Sequence, residues 1–155
     1  MQRALFGLTF FSLLLLGTRI EAGSGRVIKV LPQFLDQKGR AALSPSLYER
    51  DAYQVVLRDH PERRSGICFF VEWKTKGAIW QPLRLQVELR GIAEGGAPRQ
   101  LILDEPLENT GGWFTHWANL RLEGKAYKDF GAVTAWRATL WEGNKLLSEQ
   151  KSFLW

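Results

Sequence analysis

Leu83-Arg84-Leu85-Gln86-Val87-Glu88-Leu89-Arg90 puts an aliphatic side chain at every odd position and a polar one at every even position. Period two is β-strand geometry, because successive side chains point to opposite faces of a pleated chain. Wound as a helix, the same residues would scatter leucines and charges around the whole circumference. The stretch therefore predicts a strand with one face in a core and the other in water. The alternation is already present upstream, where Ile67, Phe69, Val71 and Trp73 interleave with Cys68, Phe70, Glu72 and Lys74.

Further along the chain, Gly91 to Pro98 reads as a loop, and Leu101 to Leu103 as a short strand bounded by Asp104-Glu105-Pro106. Gly111-Gly112 opens a strand over 113–122, residues 124–131 turn the chain, and Thr134 to Trp141 form another strand. Glu142-Gly143-Asn144-Lys145 is a hairpin turn, since Gly and Asn tolerate positive φ. Leu146 to Trp155 is the last strand, running to the C-terminus.

Towards the N-terminus, Val27 to Leu31 is a first strand stopped by Pro32, and residues 36–43 form a loop. Residues 46–59 are predicted to be a helix. Ser46 and Glu49 have capping-box spacing, with Ser44 as an alternative cap. Tyr48, Ala52, Val55 and Val56 fall on its apolar face, and Glu49, Arg50, Asp51, Arg58 and Asp59 on its wet side. His60-Pro61 ends it, because the residue before a proline is pushed out of the α region. The expected fold is mainly β: a seven-strand antiparallel sandwich with one short helix, about 46–59, between its first two strands.

Leu122-Glu123-Gly124-Lys125-Ala126-Tyr127 has the Leu-x-Gly-x-x-Tyr spacing of a tyrosine corner. From Leu120 to Trp155 the chain resembles the end of immunoglobulin-like and fibronectin type III-like sandwiches. The resemblance implies structural roles for Leu122, Gly124 and Tyr127, with the tyrosine hydroxyl bonding back to the backbone a few residues upstream. It implies no ligand, since that fold hosts many functions.

Residues 1–22 read as a secretory signal: Arg3 is the positive n-region, Leu5 to Leu16 the apolar core, and Ala22 the cleavage position. The apolar run is short for a transmembrane helix, which needs about 20 apolar residues. Gly23 to Trp155 is then a single domain. The chain has 21 basic and 16 acidic side chains; without Arg3, Arg19 and Glu21, 19 and 15 remain, a net charge of +4. The charges are mixed rather than gathered in a stripe, which argues against nucleic acid as a partner. Cys68 stands alone in an apolar strand, so it cannot form an internal disulfide and reads as a small buried hydrophobe. The absence of a disulfide and of an Asn-x-Ser/Thr acceptor tilts the expected location to the periplasm or outside of a bacterium.

Seven tryptophans are the compositional oddity. If Leu122 faces the core, parity sends Leu120, Ala118, His116 and Phe114 inward and Trp113, Thr115, Trp117, Asn119 and Arg121 outward. Parity likewise turns Arg137, Thr139 and Trp141 outward on their strand. The expected partner or ligand surface is therefore Trp113, Thr115, Trp117, Asn119, Arg137 and Trp141, on the outward sides of the two strands. Aromatic side chains there fit core packing, a protein contact or stacking on sugar rings. His60 and His116 have no neighbouring Ser, Cys or Asp at triad spacing, and Asp104-Glu105 and Glu62 read as solvated acids. No metal-ligand spacing and no phosphate loop is present, so no cofactor is expected. The ending Ser152-Phe153-Leu154-Trp155 is similar to the last strand of outer-membrane barrels, but Glu149 and Lys151 occupy the lipid-facing parity. The expectation is an exported, non-catalytic binding or assembly module of a bacterial cell envelope that contacts a protein partner through an aromatic sheet face. Carbohydrate binding through exposed tryptophan is the alternative; a small hydrolase or an outer-membrane barrel ranks below both.

Overall fold

The computed structural model describes residues 23–108 and 114–155. The expected signal segment and Trp113 lie outside the described residues. The chain forms β1 (Ser24–Asp36), α1 (Leu47–Asp59), β2 (Arg64–Lys76), β3 (Leu83–Ile92) and β4 (Pro98–Leu107). It continues with β5 (His116–Glu123), α2 (Gly124–Phe130), β6 (Ala132–Glu142) and β7 (Lys145–Lys151). The strands make two sheets, one in the order β1-β2-β5 and one in the order β4-β3-β6-β7, with every pairing antiparallel.

The period-two stretches carry the core. Ile67, Phe69, Val71 and Trp73 of β2 meet Leu83, Leu85, Val87 and Leu89 of β3 inside the sandwich. Ala118, Leu120 and Leu122 of β5 and Ala138 and Leu140 of β6 complete it. Burying one such aliphatic or aromatic side chain stabilises the fold by roughly 1.5–3 kcal/mol. The hairpin at Gly143-Asn144 forms as expected, with Gly143 at a φ of 54°.

Several boundaries differ from the sequence-based expectation. β1 runs straight through Pro32. It is an edge strand, where a missing N–H need not cost a ladder bond. β4 spans ten residues rather than three, with Asp104, Glu105 and Pro106 paired to β3. Residues 124–130 form a second helix rather than a plain turn, opened by Gly124 at a φ of 61°. β7 stops at Lys151, and the tail turns so that Trp155 lies beneath the guanidinium groups of Arg90 and Arg137, 4.0 and 4.9 Å away. Leu122 is buried as expected. Tyr127 sits on α2 with its ring packed against the core, and its hydroxyl makes no hydrogen bond among the described residues, so the tyrosine-corner bond is not formed.

Helix α1 begins as expected, with Ser46 accepting the Glu49 N–H at 3.4 Å, while the Glu49 carboxylate takes the Ser44 hydroxyl. Its orientation is the reverse of that expected. Tyr48, Ala52, Val55 and Val56 face solvent, and Gln54 and Leu57 are buried. The polar edge of β1 explains this. The Gln54 amide accepts from the Phe34 N–H at 2.8 Å and donates to the carbonyls of Phe34 at 3.0 Å and Ala41 at 2.7 Å. It thereby satisfies backbone groups that the strand edge would otherwise leave orphaned beneath the helix. Arg64 then caps the far end of α1 by donating to the carbonyls of Leu57 and Arg58, with its guanidinium 4.0 Å from the Phe34 ring. A cation there complements the negative end of the helix dipole.

Candidate functional site

β5 belongs to one sheet and β6 to the other, so their outward faces point away from each other. The expected single surface is therefore two. Thr115, Trp117 and Asn119 are exposed on or beside the three-stranded sheet, whereas Arg137 and Trp141 stand on the four-stranded sheet. Phe114, expected inward, is 80% exposed just before β5 begins.

On the four-stranded sheet the polar groups are engaged with one another. Arg137 pairs with Glu88 at 2.6 Å and lies against Trp155. The Trp141 indole N–H donates to Thr139 at 2.9 Å, and Thr139 is itself buried. That face is filled by its own side chains.

The three-stranded sheet differs. Asp36 ends β1 and organises the turn that follows. One carboxylate oxygen accepts the N–H groups of Lys38 at 2.8 Å and Arg40 at 2.9 Å. The other accepts the Arg40 guanidinium at 2.9 Å and the Tyr53 hydroxyl at 2.8 Å. Burial alone would raise this carboxyl group, but those donors outweigh it and hold its pKa at about 2. The turn contains Gly39 at a φ of 72°, conformationally easy for a residue without Cβ. It brings the chain over the sheet, where a methyl group on Gly39 would sit 3.9 Å from the Arg121 guanidinium.

A groove of about 520 Å³ is thus built on the outer face of the three-stranded sheet. Leu31 of β1 and Phe70 of β2, opposite each other in register, line it together with Trp117 of β5. Three cations also line it: Arg40 from the turn, Arg50 from α1 and Arg121 from β5. Each guanidinium is held by a carboxylate that does not line the groove. Arg40 is held by Asp36, Arg50 by Asp51 at 2.8 Å and Arg121 by Glu123 at 2.8 Å. Trp117 is 50% exposed, so its indole is both anchored and available. Cys68 has outward parity but is fully buried, and burial pushes its thiol up to about 11. It is an inert neighbour rather than a nucleophile.

Of the groove residues, sequence parity gave the outward direction of Trp117 and Arg121; Asn119 is exposed on the same strand but does not line the groove. Parity missed Leu31, Phe70, Arg40 and Arg50. The signal for Leu31 and Phe70 was available, since both are large and apolar at positions of outward parity. Arg40 and Arg50 carry no local signal, because a turn and a helix place them from outside the sheet.

Besides a concavity of about 370 Å³ lined by Glu105, Glu108, Trp117 and Asn119 where β4 approaches β5, two others are less suited to a ligand. One, of about 360 Å³ between α1, β1 and α2, is lined by Gln54 and Arg64, whose hydrogen bonds are spent on backbone carbonyls and amides of the chain. The other, of about 600 Å³ beside α2, is lined largely by charged surface side chains, with Lys125 paired to Asp129. Among the described residues no group of three or more His, Cys, Asp or Glu is arranged to hold a metal ion. His60 pairs with Glu62 at 3.1 Å at the exposed end of α1, and the His116 ring packs on Trp73 with centroids 4.9 Å apart.

No family model matches the chain, and no curated protein does. A crystal structure of a protein from Akkermansia muciniphila is similar, with a TM-score of 0.56 and 12% identity. The similarity covers 84% of this chain and 72% of that one. At that identity the likeness concerns the fold, and the fold that this chain shares is a two-sheet β-sandwich.

Proposed function

We propose that this protein is an exported, non-catalytic binding module of a bacterial cell envelope that holds a protein partner in the groove on its three-stranded sheet. The observation that carries this reading is the half-exposed Trp117 beside three preorganised arginines in one concave site. Trp and Arg are the residue types that most often dominate the energy of protein contacts. Guanidinium groups stay protonated at all ordinary pH, so the groove offers no general base and suits binding rather than bond breaking. The signal-like segment 1–22 supports export. The sandwich is read as immunoglobulin-like: β5 and β6 cross between sheets, and β4 lies beside β3 as the additional strands of variable-type domains do.

The test is a photo-crosslinking residue at position 33, which lines the groove, set against one at position 86 on the other sheet, in the native envelope. Position 33 is expected to yield discrete protein adducts and position 86 none. Adducts only from position 86 would overturn the assignment. N-terminal sequencing of the exported protein is expected to begin at Gly23. Glycan binding is the second reading, favoured by an indole lying open on a sheet face. It predicts a shift of tryptophan fluorescence with polysaccharide that Trp117→Ala removes.

A further inference from the structure

We infer that the mouth between the two sheets, where the edge strands β4 and β5 approach each other, takes a lysine or arginine side chain of the protein partner. The inference rests on reading the three-stranded face as a protein-contact surface and adds the chemistry of one residue that the partner presents. The arginines of the groove are already paired with carboxylates, so their charge is matched within the chain. The neighbouring concavity of about 370 Å³ shares Trp117 with the groove and differs in this respect. Glu105 and Glu108 line it, and no lysine or arginine does. Neither glutamate side chain makes an ion pair or a hydrogen bond among the described residues. Glu105 also holds an unusual place for an acid. It pairs in register with Leu85 and shares the parity of Leu101, Leu103 and Leu107, which pack against the core. A carboxylate at that position interrupts an otherwise apolar inner face at the open side of the sandwich.

A second, independent observation points to a ligand. Trp73 lines the same concavity and is only 3% exposed, and its indole N–H is buried without a hydrogen-bond partner. A buried donor left unpaired is destabilising, and an acceptor brought by a ligand would recover that cost. The His116 ring packs on the Trp73 indole with centroids 4.9 Å apart, and the half-exposed Trp117 stands at the rim. Ala118, between them on β5, is small enough to leave the space open. Carboxylates attract a guanidinium or an ammonium, and an indole face attracts it further through the quadrupole of the ring. A lysine or arginine residue carries both parts that the site requires. Its cation meets Glu105 and Glu108, and its peptide carbonyl is an acceptor for the indole N–H. A neutral sugar would leave both carboxylate charges uncompensated, and an acidic side chain would be repelled.

The probe is the peptide acetyl-Gly-Arg-Gly-amide. It is compared with its citrulline counterpart, which keeps the shape without the charge, and with propylguanidinium, which has no peptide carbonyl. Binding is followed by NMR through the assigned indole N–H signals of Trp73 and Trp117. The arginine peptide is expected to shift both signals and to bind at least about fivefold more tightly than either comparison compound, and raising NaCl from about 50 to about 500 mM to remove most of its margin over citrulline. Glu105→Gln and Glu108→Gln should each weaken the arginine peptide by about three- to tenfold and leave the citrulline peptide unchanged, with thermal melts confirming that both variants fold. Equal binding of the arginine and citrulline peptides, or no binding of either, overturns the cation site. Equal binding of propylguanidinium overturns the assignment to a residue of a partner protein in favour of a free cation. Protein adducts from position 33 that persist under any of these results keep the groove as a protein site; their absence as well overturns the protein-contact reading.

Discussion

Asp36 shows how one side chain can hold several parts of the molecule. It accepts from two backbone N–H groups, a guanidinium and a tyrosine hydroxyl, and so ties β1, the Gly39 turn and α1 together. Its pKa falls on folding, from 3.8 to about 2. A lowered folded pKa means that the ionised form is favoured in the native state. The stability it contributes is therefore present above about pH 4 and is lost as pH falls towards 2. Asp36→Asn is expected to flatten the acid limb of a stability-against-pH curve over that window, measured by urea denaturation at successive pH values. Gln54 belongs to the same class of residue. Gln54→Leu keeps the bulk but strands the Phe34 amide and two carbonyls, and a loss of about 2–4 kcal/mol in unfolding free energy is expected. Cys68 should resist a thiol reagent in the native protein and react once denaturant is added; fast native labelling would contradict its burial.

At the scale of elements, α1 is informative because its apolar positions did not choose its buried face. Tyr48, Val55 and Val56 would reach the core in an ordinary amphipathic helix. Here the helix covers a strand edge instead, and the need to satisfy backbone donors and acceptors outweighs the burial of two valines. Its N-cap remains local chemistry, and Ser46→Ala is expected to cost about 1 kcal/mol in a thermal melt. The α2–β6 junction is tighter. Gly131 has a φ of 83°, and an added Cβ would lie 2.3 Å from the Ile92 carbonyl oxygen. Gly131→Ala combines backbone strain with a clash and should destabilise the protein by roughly 2 kcal/mol or more, read from a denaturation midpoint.

At the scale of the whole molecule, the two sheets give the sandwich two dissimilar outer faces. The four-stranded face is closed by Arg137–Glu88 pairing and by the folded-back Trp155, while the three-stranded face keeps a groove. Trp117→Ala and Trp141→Ala should therefore behave differently. Both leave the core intact, but only Trp117→Ala is expected to reduce the yield of protein adducts, measured by crosslinking in the native envelope. Equal losses would mean that the two faces act as one surface. Leu85→Ala, at the centre of the shared core, should cost about 2–5 kcal/mol and lower the melting temperature.

Alternation along Ile67–Trp73, Leu83–Leu89 and His116–Leu122 was enough to assign each of those side chains to the inner or outer face of its sheet, because that property is local to one strand; that Cys68 is buried even on the outer face was not legible there. The identity of each strand's neighbours is not local. β5 joined β2 and β6 joined β3, and this alone separated Trp117 from Trp141 and Arg137. The orientation of α1 and the convergence of Arg40 and Arg50 on Arg121 likewise came from tertiary packing. Period two says which way a side chain points from its own sheet; only the closing of two inner faces around one core settles which sheet that is.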